Sequence, residues 1–292
     1  MDEVGFLAGA AGIVGEEILN SPHQGVKRRV VLMFARARWL GCVGLVLAMV
    51  MVGAGQDVPV AVAWQVGDQI TIDGSLEEWN KSAPIAISKT SQLIIGGYLW
   101  GGSYDLSATV YLMWDADHLY VAAEVWDDVP FTARPGFKPD EADSIGIYLS
   151  TNLDADRNRE RYEPTDFRIL IMTDEFEFYT AIDRDMVQAP NGIETVGMYG
   201  DEQVIEGFEA AVVATPRGYV LETKIPFAAL ASDLLPKFVP EAGTKVGFDL
   251  ELNDIDMPCP GVGAKTLAWV GTSNIRTNPS EWGTLIFMGH SE

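Results

Sequence analysis

The 292-residue chain holds 42 Asp and Glu against 20 Lys and Arg, and many of the acids bunch in loop-like stretches. Asp127–Asp143 (DDVPFTARPGFKPDEAD) is long, acidic and Pro-containing, and Asn152–Asp166 (NLDADRNRERYEPTD) alternates acids with polar residues. Calcium takes about six to eight oxygen ligands, and loop carboxylates supply them most readily. Asp154-x-Asp156-x-Asn158 has the alternating acid spacing of a calcium loop, though without the glycine or flanking helices of an EF-hand. Structural Ca2+ is therefore the expected cofactor, against the plain alternative of a solvated acidic surface. A different chemistry is on offer in Ile95–Ser103 (IGGYLWGGS), followed by Tyr104. Glycines there leave Tyr98, Trp100 and Tyr104 free to face solvent as stacking surfaces; the alternative is that they cover an open end of the fold. Phe131 and Phe137, inside the long acidic loop, have the same standing.

Catalysis has little support. A hydrolytic carboxylate pair can be drawn almost anywhere among so many acids, and that abundance removes its meaning. His23, His118 and His290 are scattered, so neither a triad nor a zinc site is evident. Cys259 lies in Pro258-Cys-Pro260 with no histidine near it in sequence, and reads as an incidental thiol. No catalytic residue is expected. The net charge of -22 and pI near 4.4 remove the cationic field that phosphate neutralisation needs, excluding nucleic acid as a partner. An anionic membrane surface is excluded on the same ground.

These loops need elements to carry them. Lys27, Arg28, Arg29, Arg36 and Arg38 precede the apolar run Trp39–Val52, which is followed by small residues. The pattern predicts an export signal within residues 1–63, cut after Ala54 or after Ala63. An uncleaved anchor is the alternative, and with it a membrane attachment, but the run is short of the about 20 residues a spanning helix needs. Met33 is a candidate true start, because acidic residues precede the basic cluster. The protein is expected to be exported to the periplasm, the cell surface or the medium. Residues 64–292 read as one domain with period-two apolar patterning. Ala108–Trp114 and His118–Val125, joined through Asp115-Ala-Asp117, predict a hairpin with an acidic turn. Further strands are expected at Ser144–Ser150, Phe167–Met172, Glu175–Ala181, Gly207–Ala214, Tyr219–Lys224, Lys245–Leu252, Thr266–Val270 and Thr284–Met288. Only Phe227–Phe238 looks helical, and Pro236 limits it to a couple of turns. The fold class is thus all-β: a two-sheet antiparallel β-sandwich, jelly-roll or immunoglobulin-like, with one short helix.

Six signatures in order carry a family resemblance. They are Ile72-Asp-Gly-Ser-Leu-Glu-Glu-Trp79, then Trp114-Asp115 with Leu119-Tyr-Val121 and Val125-Trp-Asp127, and then Asp143-Ser-Ile-Gly-Ile-Tyr148. Gly218-Tyr-Val-Leu-Glu222 with Ile225-Pro-Phe227, Val246–Asp254 (VGFDLELND) and Pro279-Ser-Glu-Trp-Gly283 complete the series. Together they resemble carbohydrate-binding module family nine over about residues 68–288. The resemblance implies a two-sheet sandwich that binds glycans and holds structural calcium. Asp127 matches a position that resembles a family metal ligand, and Asp128, Asp143 and Asp73 are its candidate neighbours. Arg168 matches a strand position where the family carries an arginine. Sugar-binding members clamp the pyranose between two aromatic rings, stacking on its apolar C–H faces. At those two places this chain has Pro139-Asp-Glu-Ala142 and Ser273-Asn-Ile-Arg276, and Gly146 stands where an acidic residue is expected.

Tyr98, Trp100 and Tyr104, near Arg168, then offer a replacement platform for a polysaccharide or oligosaccharide. The expected function is a secreted, calcium-stabilised, non-catalytic carbohydrate-binding module. One alternative is a calcium-stabilised structural or protein-binding domain of the cell envelope that has lost the sugar. Another is a b-type haem electron-transfer domain of related fold, with Met113, Met172, Met198 and Lys224 as available ligands.

Overall fold

The computed structural model describes residues 14–17, 30–33, 58–130, 142–153, 159, 162–163, 165–172, 180–183, 188–189, 192–193, 207–230, 237–256 and 263–290. Two compact units divide the chain, Met1–Gly55 and Gln56–Glu292. The first contains the antiparallel pair β1 (Val14–Glu17) and β2 (Val30–Met33).

The second unit is built from strands whose side chains alternate between a buried core and an outer face. One half of the sandwich runs β10 (Thr180–Asp183), β9 (Asp166–Met172), β8 (Ser144–Ser150) and β15 (Lys245–Ile255). The far edge of β15 is shared by β17 (Gly283–Met288) and β16 (Ala264–Ala268), and β5 (Leu93–Ile95) flanks β16. The other half contains β3 (Val60–Gln65), β6 (Leu106–Trp114), β7 (His118–Asp127), β14 (Gly218–Pro226) and β13 (Glu209–Thr215). In addition β4 (Ile85–Ile87) pairs β6, and β11 (Gln188–Ala189) pairs β12 (Gly192–Ile193) as a separate small ladder.

Ile145, Ile147 and Leu149 of β8 and Phe248, Leu250 and Leu252 of β15 share one buried cluster with Leu106–Leu112 and Val121–Val125 side chains of the β6–β7 hairpin. The period-two pattern of those strands therefore closes a single core between the two halves. Trp79, Trp114 and Trp282 are buried, and Trp269 packs against the core.

The all-β sandwich stands, with three differences in detail. First, the ladder is not wholly antiparallel, because β3 runs parallel to β17 and, at Trp64 and Gln65, parallel to β6. It links the two halves into one continuous ladder. Second, the expected helix begins as a single 3-10 turn at Phe227–Leu230, and residues 231–236 lie outside the described residues. Third, the folded unit begins before residue 64: Ala61 and Ala63 are buried in β3, and the unit starts at Gln56. A cut after Ala54 leaves β3 whole, whereas a cut after Ala63 removes its first four residues. Most of the Glu175–Ala181 strand lies outside the described residues; β10 begins at Thr180.

Candidate binding loop and cation cluster

The aromatic loop between β5 and β6 is fixed at both ends by its glycines. Gly96 has φ 76°, and a Cβ there would lie 2.3 Å from the Ala264 carbonyl oxygen. Its own carbonyl accepts from Leu99 and Trp100 N–H at 2.8 and 3.2 Å. Gly102 (φ 103°) accepts from Asp105 N–H at 3.0 Å, closing the second turn. Trp100 donates its indole N–H to the Leu106 carbonyl at 3.0 Å and packs on the core, so it anchors the loop. Tyr98 and Tyr104 are left 91% and 76% exposed.

Tyr104 meets Trp126 edge-on at 5.3 Å, and the Arg217 guanidinium lies 4.6 Å over that indole. Trp126 in turn ends a groove of about 380 Å³ on the outer face of the β6–β7–β14 sheet, where Ser88, Ser107, Thr109 and Glu124 offer hydroxyls and a carboxylate. Nothing local in the chain connects Arg217 with this loop; the register of Gly218 opposite Trp126 brings them together.

Asp105, the last residue of the loop, joins it to a cluster of carboxylates. Its Oδ2 accepts from Gly101 N–H, and its carbonyl accepts from Asp128 N–H at 3.3 Å. Oxygens of Asp105, Asp128 and Asp256 lie within 4.8 Å of one another. Behind them stand Asp127, the last residue of β7, and Asp143, just before β8, whose carboxyl groups interact. Asp143 also accepts from Ile255 N–H at 2.9 Å, which draws in the end of β15. Buried Asp254 completes the group. Two carboxylates so placed favour a shared proton or a cation between them, and burial pushes the Asp127 carboxyl above its ordinary range. Asp254 is pushed up to about 8, by burial first. Among the described residues, Asp127 Oδ2, Asp254 Oδ1 and Asp256 Oδ1 are buried without a hydrogen-bond partner.

Lys265 enters the same cluster from β16. Burial alone would lower its pKa, but Asp105, Asp256 and Asp254 outweigh it and hold the ammonium protonated. Of the expected metal ligands the structure thus unites Asp127, Asp128 and Asp143, and adds Asp105, Asp254 and Asp256. The missed three come from the loop and from the end of β15, and Asn-Asp-Ile-Asp in the sequence was the available signal.

Asp73 is a correction to the expected ligand set. Its N–H and that of Gly74 donate to Glu222, which also receives the Trp79 indole N–H, while the exposed Asp73 side chain caps Ser75. Glu222 sits opposite Ala122, five residues along β7 from Asp127 and roughly 17 Å away at about 3.4 Å per residue. Asp154, Asp156, Asn158, Phe131 and Phe137 lie outside the described residues.

Arg168 stands on the outer face of the first half, away from solvent. Its Nη2 approaches Glu251 Oε1 at 3.4 Å, and its guanidinium lies 5.8 Å over the Tyr148 ring. Arg276 holds the same carboxylate with both Nε and Nη2 at 2.9 Å, while Tyr148 O–H and Asn253 Nδ2 donate at 2.8 Å. Burial raises the Glu251 pKa, but Arg276 and then Arg168 outweigh it and hold the carboxylate ionised. Gly146 lies opposite Glu251, and a Cβ there would stand 3.2 Å from the Glu251 Cβ. Trp282 covers Tyr148 at 5.3 Å and is itself met edge-on by Tyr162 at 5.6 Å. Of the haem-ligand candidates, Met113 is buried among Ile70, Trp79 and Tyr111, and Lys224 pairs with Glu209. Met172 and Met198 lie outside the residues whose side chains are described.

Asp249, also on the outer face of β15, carries a pH dependence. Burial pushes its carboxyl up to about 7, with Glu251 adding to the rise, against backbone donors Leu250 and Val270. At pH below the unfolded value of 3.8 both states hold the proton. As pH rises toward 7 only the unfolded chain ionises, so stability falls. Asp249→Asn, neutral throughout, is expected to melt about 4 °C or more above wild type at pH 8 and level with it near pH 4. Thermal melts at both pH values test this; an offset equal at the two would refute it.

The descriptive model of the carbohydrate family 9 binding domain-like family matches residues 72–290. The chain is 27% identical over 220 residues to an endo-1,4-beta-xylanase A of Thermoanaerobacterium saccharolyticum, taking in 75% of this chain and 15% of that protein. It is 28% identical over 233 residues to the exoglucanase XynX of Acetivibrio thermocellus, covering 79% of this chain and 17% of that one. This chain therefore spans about one-sixth of the length of those relatives. A family 9 carbohydrate-binding module from Caldicellulosiruptor kristjanssonii, solved in complex with cellotriose, superposes with a TM-score of 0.55 at 24% identity, over 80% of this chain and 96% of that one. With most of its length matched by the family model, and with the same fold, this chain belongs to the carbohydrate family 9 binding domain-like family.

Proposed function

We propose that the protein is an exported, non-catalytic carbohydrate-binding module stabilised by calcium. Its glycan rests on the Tyr98/Tyr104 loop and reaches along the Trp126 groove. The observation that carries this is the pairing of two highly exposed tyrosines with a loop fixed by Gly96, Gly102, Trp100 and Asp105. Exposed rings carried on a backbone that is already fixed are suited to stacking on a pyranose, and the neighbouring polar side chains to bonding its hydroxyls. Trp100 then supports the platform from below, and Arg168 stays a structural partner of Glu251.

The relatives' names, xylanase and exoglucanase, and the cellotriose of the structural neighbour favour a β-1,4-linked gluco- or xylo-oligosaccharide. Export is supported by the basic and apolar pattern before residue 55, and among the described residues no helix is long and apolar enough to cross a membrane. Asp127, Asp143 and Asp254 fit calcium by their charge and by the unpartnered buried oxygens of Asp127 and Asp254. Bound there, the ion supplies the positive charge these carboxylates lack.

Isothermal titration with xylo- and cello-oligosaccharides tests the platform. Tyr98→Ala and Tyr104→Ala are each expected to weaken binding about tenfold, roughly 1.4 kcal/mol. Unchanged affinity in the double variant would remove the platform. A second reading, a cell-envelope domain that binds protein and has lost the sugar, is favoured by the buried Ala142 and the Glu251-paired Arg276 at the two family clamp positions. A module that binds no glycan with or without calcium would establish it.

A further inference from the structure

We propose that the Lys265 ammonium is a resident cation of the acidic cluster, filling the outer half that a second divalent ion would otherwise occupy. The side chain is fully buried, and its Nζ reaches Asp105 Oδ1, Asp256 Oδ2 at 2.7 Å and Asp254 Oδ2 at 2.9 Å. Of the three N–H donors of an ammonium, two are hydrogen-bonded here, to Asp105 and Asp256, and Asp254 Oδ2 stands beside the charge as an ion-pair partner without a hydrogen bond. Delivery is fixed by the fold, because Lys265 sits directly opposite Asp254 in the β15–β16 ladder. Two of its partners, Asp105 and Asp256, belong to the trio whose oxygens lie within 4.8 Å, a spacing suited to a metal ion.

The charge is divided accordingly. Six carboxylates face one ammonium, so Lys265 neutralises the outer ones and reaches only the Oδ2 edge of Asp254 on the inner side. The inner side, with Asp127 Oδ2 and Asp254 Oδ1 buried and unpartnered, keeps its demand for a divalent ion. The tethered ammonium also holds Asp105, whose other oxygen braces the aromatic loop at Gly101. That half of the brace is therefore independent of dissolved calcium. The inference deepens the calcium reading above, on which the inner ion rests, but it can fail separately from it.

The test is calcium stoichiometry, by titration with calcium chloride and elemental analysis, in wild type and in Lys265→Met. The variant is expected to bind one more calcium per chain than wild type, and to recover in millimolar calcium a melting temperature lost in EDTA. Equal stoichiometry in the two proteins overturns the inference while leaving the calcium reading intact. No calcium in wild type but one in the variant sinks that reading and sustains this one. Should the variant fail to fold, wild-type protein labelled with 15N-lysine decides. A slowly exchanging NH3+ signal that persists in EDTA and at saturating calcium supports the resident ammonium, and its absence or its loss on adding calcium refutes it.

Discussion

Stripping calcium with EDTA is expected to lower the melting temperature by about 10 °C, and returning calcium to restore it. The magnitude follows from linkage: a ligand at about a thousand times its dissociation constant stabilises by roughly 4 kcal/mol. For a domain of this size each kcal/mol shifts the melting point by about 2–4 °C. The physical cause is the meeting of Asp127, Asp143 and Asp254 in a buried space where Lys265 serves only one of the three, Asp254, directly. Without an ion, burial raises the Asp127 and Asp254 carboxyls and favours their protonated forms. The cluster ties the ends of β7 and β15 to the start of β8, so its loss loosens one end of the sandwich. Magnesium is expected to restore less, because it prefers a stricter octahedral shell and sheds its waters reluctantly. Scanning calorimetry in EDTA, calcium and magnesium measures all three. A melting point indifferent to EDTA would leave the cluster with protons and Lys265 alone.

How far the sequence foretold this depends on the range of the interaction. The hairpin Ala108–Val125 and the strands at Ser144, Lys245 and Thr284 were legible because each carries its own period-two pattern, and burial follows that pattern directly. The short strands at Ile85–Ile87 and Leu93–Ile95 have too few residues to display a period, and β3 hides in the small-residue stretch that reads as a signal cleavage zone. The family resemblance pointed to Asp127, with Asp128 and Asp143 as its candidate neighbours in an acid-rich loop. Asp105 is hidden beside aromatic residues, and Asp254 and Asp256 count as metal neighbours only once β15 is laid beside β8. Asp73 illustrates the converse: a motif residue, acidic and in a turn, whose strand register carries it far from the others. Trp100 and Tyr98 are alike in sequence context, and only the indole bond to Leu106 sorts the anchor from the exposed ring.

Removing Glu251 is expected to be the most damaging single change on the opposite face. Glu251→Ala should cost about 3–5 kcal/mol, the range for stranding a buried charge by deleting its partner, or about 10 °C in melting temperature. Five donors converge on this one carboxylate: two from Arg276 and one each from Arg168, Tyr148 and Asn253. Its removal leaves Arg168 buried and Arg276 half-buried, both positive, beside two unpaired neutral donors. Glu251→Gln keeps the volume but turns an amide toward groups that are already donors, so it is expected to recover little of the loss. The arrangement also accounts for the departure from the family pattern. Arg276 occupies a segment where a sugar-clamping ring is expected, Gly146 yields room to Glu251, and the two charged side chains satisfy each other across the vacated space. A double-mutant cycle tests this coupling: Arg276→Ala should cost clearly less in the Glu251→Ala background than in wild type. Additive losses would mean that Arg276 holds its segment by packing alone. The same variants separate stability from binding. If the glycan lies on the tyrosine loop, Arg276→Ala leaves the affinity for oligosaccharide intact in protein that remains folded. A loss of binding there would move the sugar to the Glu251 face.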